Sequence, residues 1–135
     1  MPSVVRREFD HAPWKSSLAE ITFQQFDPTG VATWSLLRGL HPFSVTVEPD
    51  PVAGFVGTIQ LVTSNNPFAP PVTGTAFAAL GDPIVIDTTD PTAAHGVSTI
   101  TDAPFQWIGV VPTTLTAGLV RVYVFASPYS RNIQP

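Results

Sequence analysis

The chain has 135 residues, of which 44% are hydrophobic and 12% charged, about half the roughly 25% charge of an ordinary soluble domain. With nine glycines, fifteen prolines, no cysteine and a net charge of −4, it excludes long-helix architectures, disulfides, thiol catalysis, cysteine-ligated metals and phosphate-driven nucleic-acid binding. The length suits one domain.

The N-terminal segment, residues 1–18, is expected to be an irregular arm. It holds three of the six basic residues, Arg6, Arg7 and Lys15, together with Phe9 and Trp14, but no sustained alternation. Charged residues occupy the place where a secretion signal needs its apolar segment, so the chain reads as one made in the cytoplasm without a leader. Near Trp14–Ile21, Ser17 and Glu20 have the spacing of a capping box, which allows a turn or two of helix; a strand or extended arm fits as well. None of the apolar runs approaches the roughly 18 residues of a membrane-spanning helix, so no membrane partner is expected.

From about residue 19 to 127 the pattern is that of strands. Residues 21–26 and 31–37 are strand candidates separated by the turn Asp27-Pro-Thr-Gly30. In Phe43-Ser-Val-Thr-Val-Glu48, apolar and polar residues alternate strictly, which predicts one face on a core and one in water. Along 54–62, Phe55, Ile59 and Leu61 share a face, and Gly57 marks a bulge or a close backbone approach. Further candidates are 72–80, 84–86 and 97–101. Residues 105–111 and 119–126 are rich in β-branched and aromatic residues, and the connection 112–118 is short enough for a hairpin. Eight or nine short strands predict an all-β fold, a single β-sandwich or barrel-like domain of antiparallel strands. Residues 128–135 read as a C-terminal surface tail.

Chemistry-bearing motifs are sparse. His11, His41 and His95 lack the short spacing to other ligands that marks a metal site, and read as loop or surface residues. Glu48/Asp50 and Asp87/Asp90 lie beside prolines, where carboxylates satisfy turn amides more often than they bind calcium or form a glycosidase dyad. Nucleophile elbows and phosphate-binding glycine loops are missing from the sequence, and no enzymatic activity, catalytic residue, metal or cofactor is expected. Trp107 reads as a core residue and Trp34 as buried. Trp14, in the irregular segment beside Lys15, reads instead as an intermolecular anchor.

The segments Phe55-Val-Gly-Thr-Ile-Gln-Leu-Val62, Ile100-Thr-Asp-Ala-Pro-Phe-Gln-Trp-Ile-Gly-Val-Val111 and Leu119-Val-Arg-Val-Tyr-Val-Phe-Ala126 resemble those of small β-sandwich decoration, or head cement, proteins of tailed-bacteriophage virions. These share an apolar-x-Gly-Thr-apolar strand, a Pro-Phe-x-Trp/Tyr-apolar strand and a final Val/Tyr-rich strand. The resemblance spans about residues 43–126. Where related proteins carry an Asp-Gly-Gly turn followed by Thr-Trp, this chain has Ser64-Asn-Asn-Pro-Phe68.

The resemblance implies a non-enzymatic structural protein of the virion that binds the outer surface of the assembled head and bridges major capsid protein subunits, as a homo-oligomer, expected to be a trimer. Arg6, Arg7, Phe9, Trp14 and Lys15 are the candidate capsid contacts. A tail, baseplate or head-fibre component is the alternative structural reading. A carbohydrate-binding sandwich using Trp14 or Trp34 is another.

Overall fold

The structure, a computed structural model, describes residues 3–11, 14–68, 78–92 and 95–126, by backbone alone at residues 3, 5–11 and 14–17. Among the described residues there is no helix, and nine strands form one antiparallel sheet curled into a half-barrel. They are β1 (Ser3–His11), β2 (Trp14–Gln24), β3 (Thr33–Leu36), β4 (Phe43–Pro49), β5 (Phe55–Ser64), β6 (Ala78–Ala79), β7 (Ile84–Asp87), β8 (Val97–Thr101) and β9 (Trp107–Ala126).

The last strand organises the fold. Residues 119–126 of β9 lie between β2 and β4 in a first leaf, ordered β1-β2-β9-β4-β8. Residues 107–118 lie between β3 and β5 in a second leaf, to which β6 and β7 are added along β5. The hairpin expected over 112–118 is therefore replaced by continuous strand. Two features turn that strand from one leaf to the other. Its register against β5 skips Thr113 and Thr116, because Ile59 pairs Pro112 but Thr58 pairs Thr114, and Gly57 pairs Leu115 but Val56 pairs Ala117. Each extra residue is a bulge that bends and twists the strand, and one of them lets Pro112 sit in a paired position. Gly118 then takes φ +82°, with its α-carbon so near the Gly54 carbonyl that a β-carbon would stand 2.0 Å from the oxygen. Only glycine fits that corner.

Inside the curl, period-two alternation delivers one apolar face from each strand. Ala19, Ile21 and Phe23 of β2 meet Val120, Val122 and Val124 of β9 and Phe43, Val45 and Val47 of β4, all buried. The second leaf supplies Phe55, Ile59 and Leu61 of β5, Ile86 of β7, and Ile108 and Val110 of β9. The face predicted for 43, 45 and 47 and that predicted for 55, 59 and 61 are the observed core faces. Gly57 is a close approach, since a β-carbon there would meet the Thr114 carbonyl at 2.5 Å, and it lies beside a bulge whose extra residue, Thr116, is on β9.

At the N-terminus the structure corrects the expected irregular arm. Residues 3–11 form β1, paired residue for residue with β2 from Ser3 opposite Thr22 to His11 opposite Trp14. The short helix considered near Trp14–Ile21 is strand. Ile21 and Phe23 belong to the core face, and extending that strand backwards presents a free edge on which β1 pairs. The predicted tail at 128–135 lies outside the described residues, as does most of the strand candidate at 72–80, of which β6 is the described end.

Candidate functional site

The candidate contact residues Arg6, Arg7, Phe9, Trp14 and Lys15 are brought into one β-hairpin, β1–β2, at the edge of the first leaf. Register places Arg6 opposite Ala19, Arg7 opposite Leu18, Phe9 opposite Ser16 and Trp14 opposite His11. The side chains of these five lie outside the described residues. Their backbones share a strand pair whose outer member contacts no other strand among the described residues.

Beside that hairpin, the outer face of the first leaf carries an apolar row. Leu18, Phe125, Ser44 and Ile100 are consecutive cross-strand partners on β2, β9, β4 and β8. Leu18 and Ser44 are half-buried, whereas Phe125 is 40% and Ile100 78% exposed. In the next row Glu20, Tyr123, Thr46 and Ser98 are partners, with the Thr46 and Ser98 hydroxyls 3.0 Å apart. This face alternates correctly with the core face, yet it offers large apolar surface to solvent at Ile100 on an edge strand.

Three aspartates, Asp50, Asp87 and Asp90, are committed to turns. Asp50 accepts the amides of Val52 and Ala53 at 3.0 and 2.8 Å and pairs with Arg121 Nη1 at 2.9 Å. The Ala53 amide, the Arg121 guanidinium and the Val52 amide together hold the Asp50 carboxyl below its ordinary range. Asp87 accepts the Thr89 amide at 2.9 Å, and Asp90 accepts the Thr92 amide and hydroxyl at 2.9 and 2.7 Å. The Thr92 hydroxyl and amide likewise hold the Asp90 carboxyl down. These are the roles that acidic residues beside proline were expected to play. Glu48 departs from that expectation, because it lies exposed on strand β4 and not in a turn.

The described histidines stand apart. His41 donates Nδ1–H to the Gly39 carbonyl at 2.9 Å, with Nε2 4.0 Å from Asp102 Oδ1, beyond one end of β8. His95 donates Nε2–H to the Asp90 carbonyl at 2.8 Å, before the other end of β8. The His11 side chain lies outside the described residues. Among the described residues no three His, Asp or Glu side chains converge as a metal site would require.

Two tryptophans differ from the sequence expectation. Trp107 is half-buried instead of forming core, and its indole N–H donates to the Asn66 carbonyl at 2.9 Å. Gln106 N–H joins it by donating to Asn65 Oδ1 at 2.9 Å, so the strand end closes over the turn that follows β5. Alternation explains this. Ile108 and Val110 take the core side of β9, which leaves 107 and 109 on the other face. Trp34, half-buried, packs on that same outer face with Ala32, Val62 and Val111. Sequence reasoning could have found both from the phase of Ile108 and Val110.

No family model matches the chain, and no curated protein matches it either.

Proposed function

We propose that this protein is a structural component of a bacteriophage virion, a non-enzymatic decoration protein that binds the outside of the assembled head and bridges major capsid protein subunits as a homotrimer. One observation carries the reading. Half of the chain's scarce basic residues sit on a β-hairpin at a sheet edge, the kind of element that extends from a rigid domain onto another surface. An acidic, partly apolar groove would match Arg6, Arg7, Lys15, Phe9 and Trp14 in charge and in apolar character. The pattern-level resemblance over residues 43–126 supports the same reading.

Bridging is a mechanical task. Each copy adds binding free energy that exists only when neighbouring subunits are in the spacing it spans, and many copies multiply the effect. The core lies on the inner face of the sheet, and Phe125 and Ile100 of the apolar row lie outside it and exposed, so that row can meet a partner without opening the core. Imaging of assembled particles by electron microscopy tests the assignment. Density for this chain on the head, at junctions between capsid subunits, is expected. Density confined to the tail, baseplate or a fibre would replace the decoration reading with the alternative one.

A further inference from the structure

Four of the seven aspartates precede proline, at Asp27–Pro28, Asp50–Pro51, Asp82–Pro83 and Asp90–Pro91. Such bonds are intrinsically weak in acid. The aspartate carboxylate can close a five-membered ring on its own main-chain carbonyl carbon, and the proline nitrogen, more basic than an ordinary amide nitrogen, leaves readily once protonated. The four sites are chemically alike in sequence and differ in their surroundings.

At Asp90 the surroundings match the reaction. His95 Nε2–H is 2.8 Å from the carbonyl oxygen of the Asp90–Pro91 bond, in the position of an oxyanion donor. Thr92 holds Oδ1 through its amide and hydroxyl, which keeps the carboxyl ionised as the pH falls. Among the described residues nothing hydrogen-bonds to Oδ2. The other three sites differ in their surroundings. Asp50 has Oδ1 held by Arg121 and Oδ2 by two amides. Asp27 is buried, with Oδ2 on the Gln24 amide. Asp82 is exposed, and no donor among the described residues holds its carbonyl.

We propose that Asp90, Pro91 and His95 form a self-cleavage site that cuts the chain once, between residues 90 and 91, in mild acid. Asp90 Oδ2 bonds to the Asp90 carbonyl carbon, and negative charge develops on the oxygen that His95 holds. The C–N bond to Pro91 breaks, its electron pair staying on nitrogen, which takes a proton from the acidic solvent. One water then opens the cyclic anhydride, leaving Asp90 as a C-terminus and Pro91 as an N-terminus. No redox partner is needed. His95 acts through its N–H in either protonation state. The other titratable groups on the elements adjoining this loop are Asp87, at the end of β7, and Glu48, on β4. The cut pieces stay assembled, because β8 and β9 on one piece pair with β2, β3, β4 and β5 on the other.

The test is to incubate the folded full chain at about pH 4, near the ordinary aspartate pKa and above the lowered one of Asp90, and to follow fragments by denaturing gel and mass spectrometry. The other three Asp–Pro bonds serve as internal controls. Fragments 1–90 and 91–135 are expected first, and the preference should vanish in guanidinium. His95→Ala should slow this cut alone by about tenfold, less than a buried oxyanion donor contributes. His95→Gln, which keeps an N–H donor, should restore part of the rate, and Asp90→Glu, which enlarges the ring, should abolish the cut. Circular dichroism checks that each variant is folded. Cutting that begins at Asp82–Pro83, falls evenly on all four bonds, spares 90–91 altogether or is indifferent to His95→Ala overturns the proposal.

Discussion

The six-membered ring of Trp34 rests against the bare backbone of Gly109, its cross-strand partner on β9, and reaches over to Val62 on the next strand. A β-carbon at Gly109 would stand 2.7 Å from ring atoms Cε3 and Cζ3 and 2.8 Å from Val62 Cγ2. The outer face of the second leaf is thus built around a missing side chain. Gly109→Ala is expected to lift the indole and to destabilise the domain by about 1–3 kcal/mol, the range for overpacking. Thermal unfolding measures the loss, and a shift in tryptophan emission reports the ring displacement. An unchanged melting temperature would mean that Trp34 can move aside without cost.

The corner of β9 predicts a contrast between two glycines. Gly118 and Gly81 both have positive φ, +82° and +72°, but a β-carbon at Gly118 would collide with the Gly54 backbone whereas at Gly81 it would enter open space. Gly81→Ala should lose only the backbone preference, about 1 kcal/mol. Gly118→Ala should lose about 3 kcal/mol or more, because two strands must separate to admit a methyl group. Denaturant titration of the two variants distinguishes these outcomes, and equal losses would contradict the account of the corner.

Acid sensitivity follows from Asp50. Its carboxyl is held below the unfolded value by the Ala53 amide, Arg121 and the Val52 amide. The stabilisation is therefore complete above the unfolded pKa, about 3.9, and is lost as pH falls through the lower folded value. Asp50→Asn should melt below the wild type at neutral pH, with the gap closing once the pH is below both values. Melting curves recorded down the acid range check this, and a gap that stays constant would show that the ion pair and turn bonds contribute nothing that depends on charge.

Much of this fold was legible because half-buried strands announce themselves by alternation. The 43–47 and 55–61 faces, the 97–101 strand and the role of Gly57 all followed from period two and from glycine. What was hidden was continuity. Pro112, Gly118 and three threonines between them look like a turn, and only the pairing with β5 shows one continuous strand with bulges at Thr113 and Thr116. The N-terminal strand was hidden for a related reason: β1 lies at an edge and pairs with β2 alone among the described strands, so nothing imposes a strict alternation on it. The candidate contact residues were legible as a group by charge and aromatic content, but their placement on one hairpin came from the sheet.

Binding to heads that lack this protein tests the central claim most directly. Expanded capsids are mixed with the folded full-length chain and with the triple variant Arg6→Glu, Arg7→Glu, Lys15→Glu, and bound protein is measured by sedimentation. The account predicts saturable binding of the wild type, weakened at high salt as charge steering requires, and at least a tenfold loss for the variant, about 1.4 kcal/mol or more. Equal binding of the two proteins would contradict the role given to the hairpin, and binding by neither would contradict decoration of the head itself.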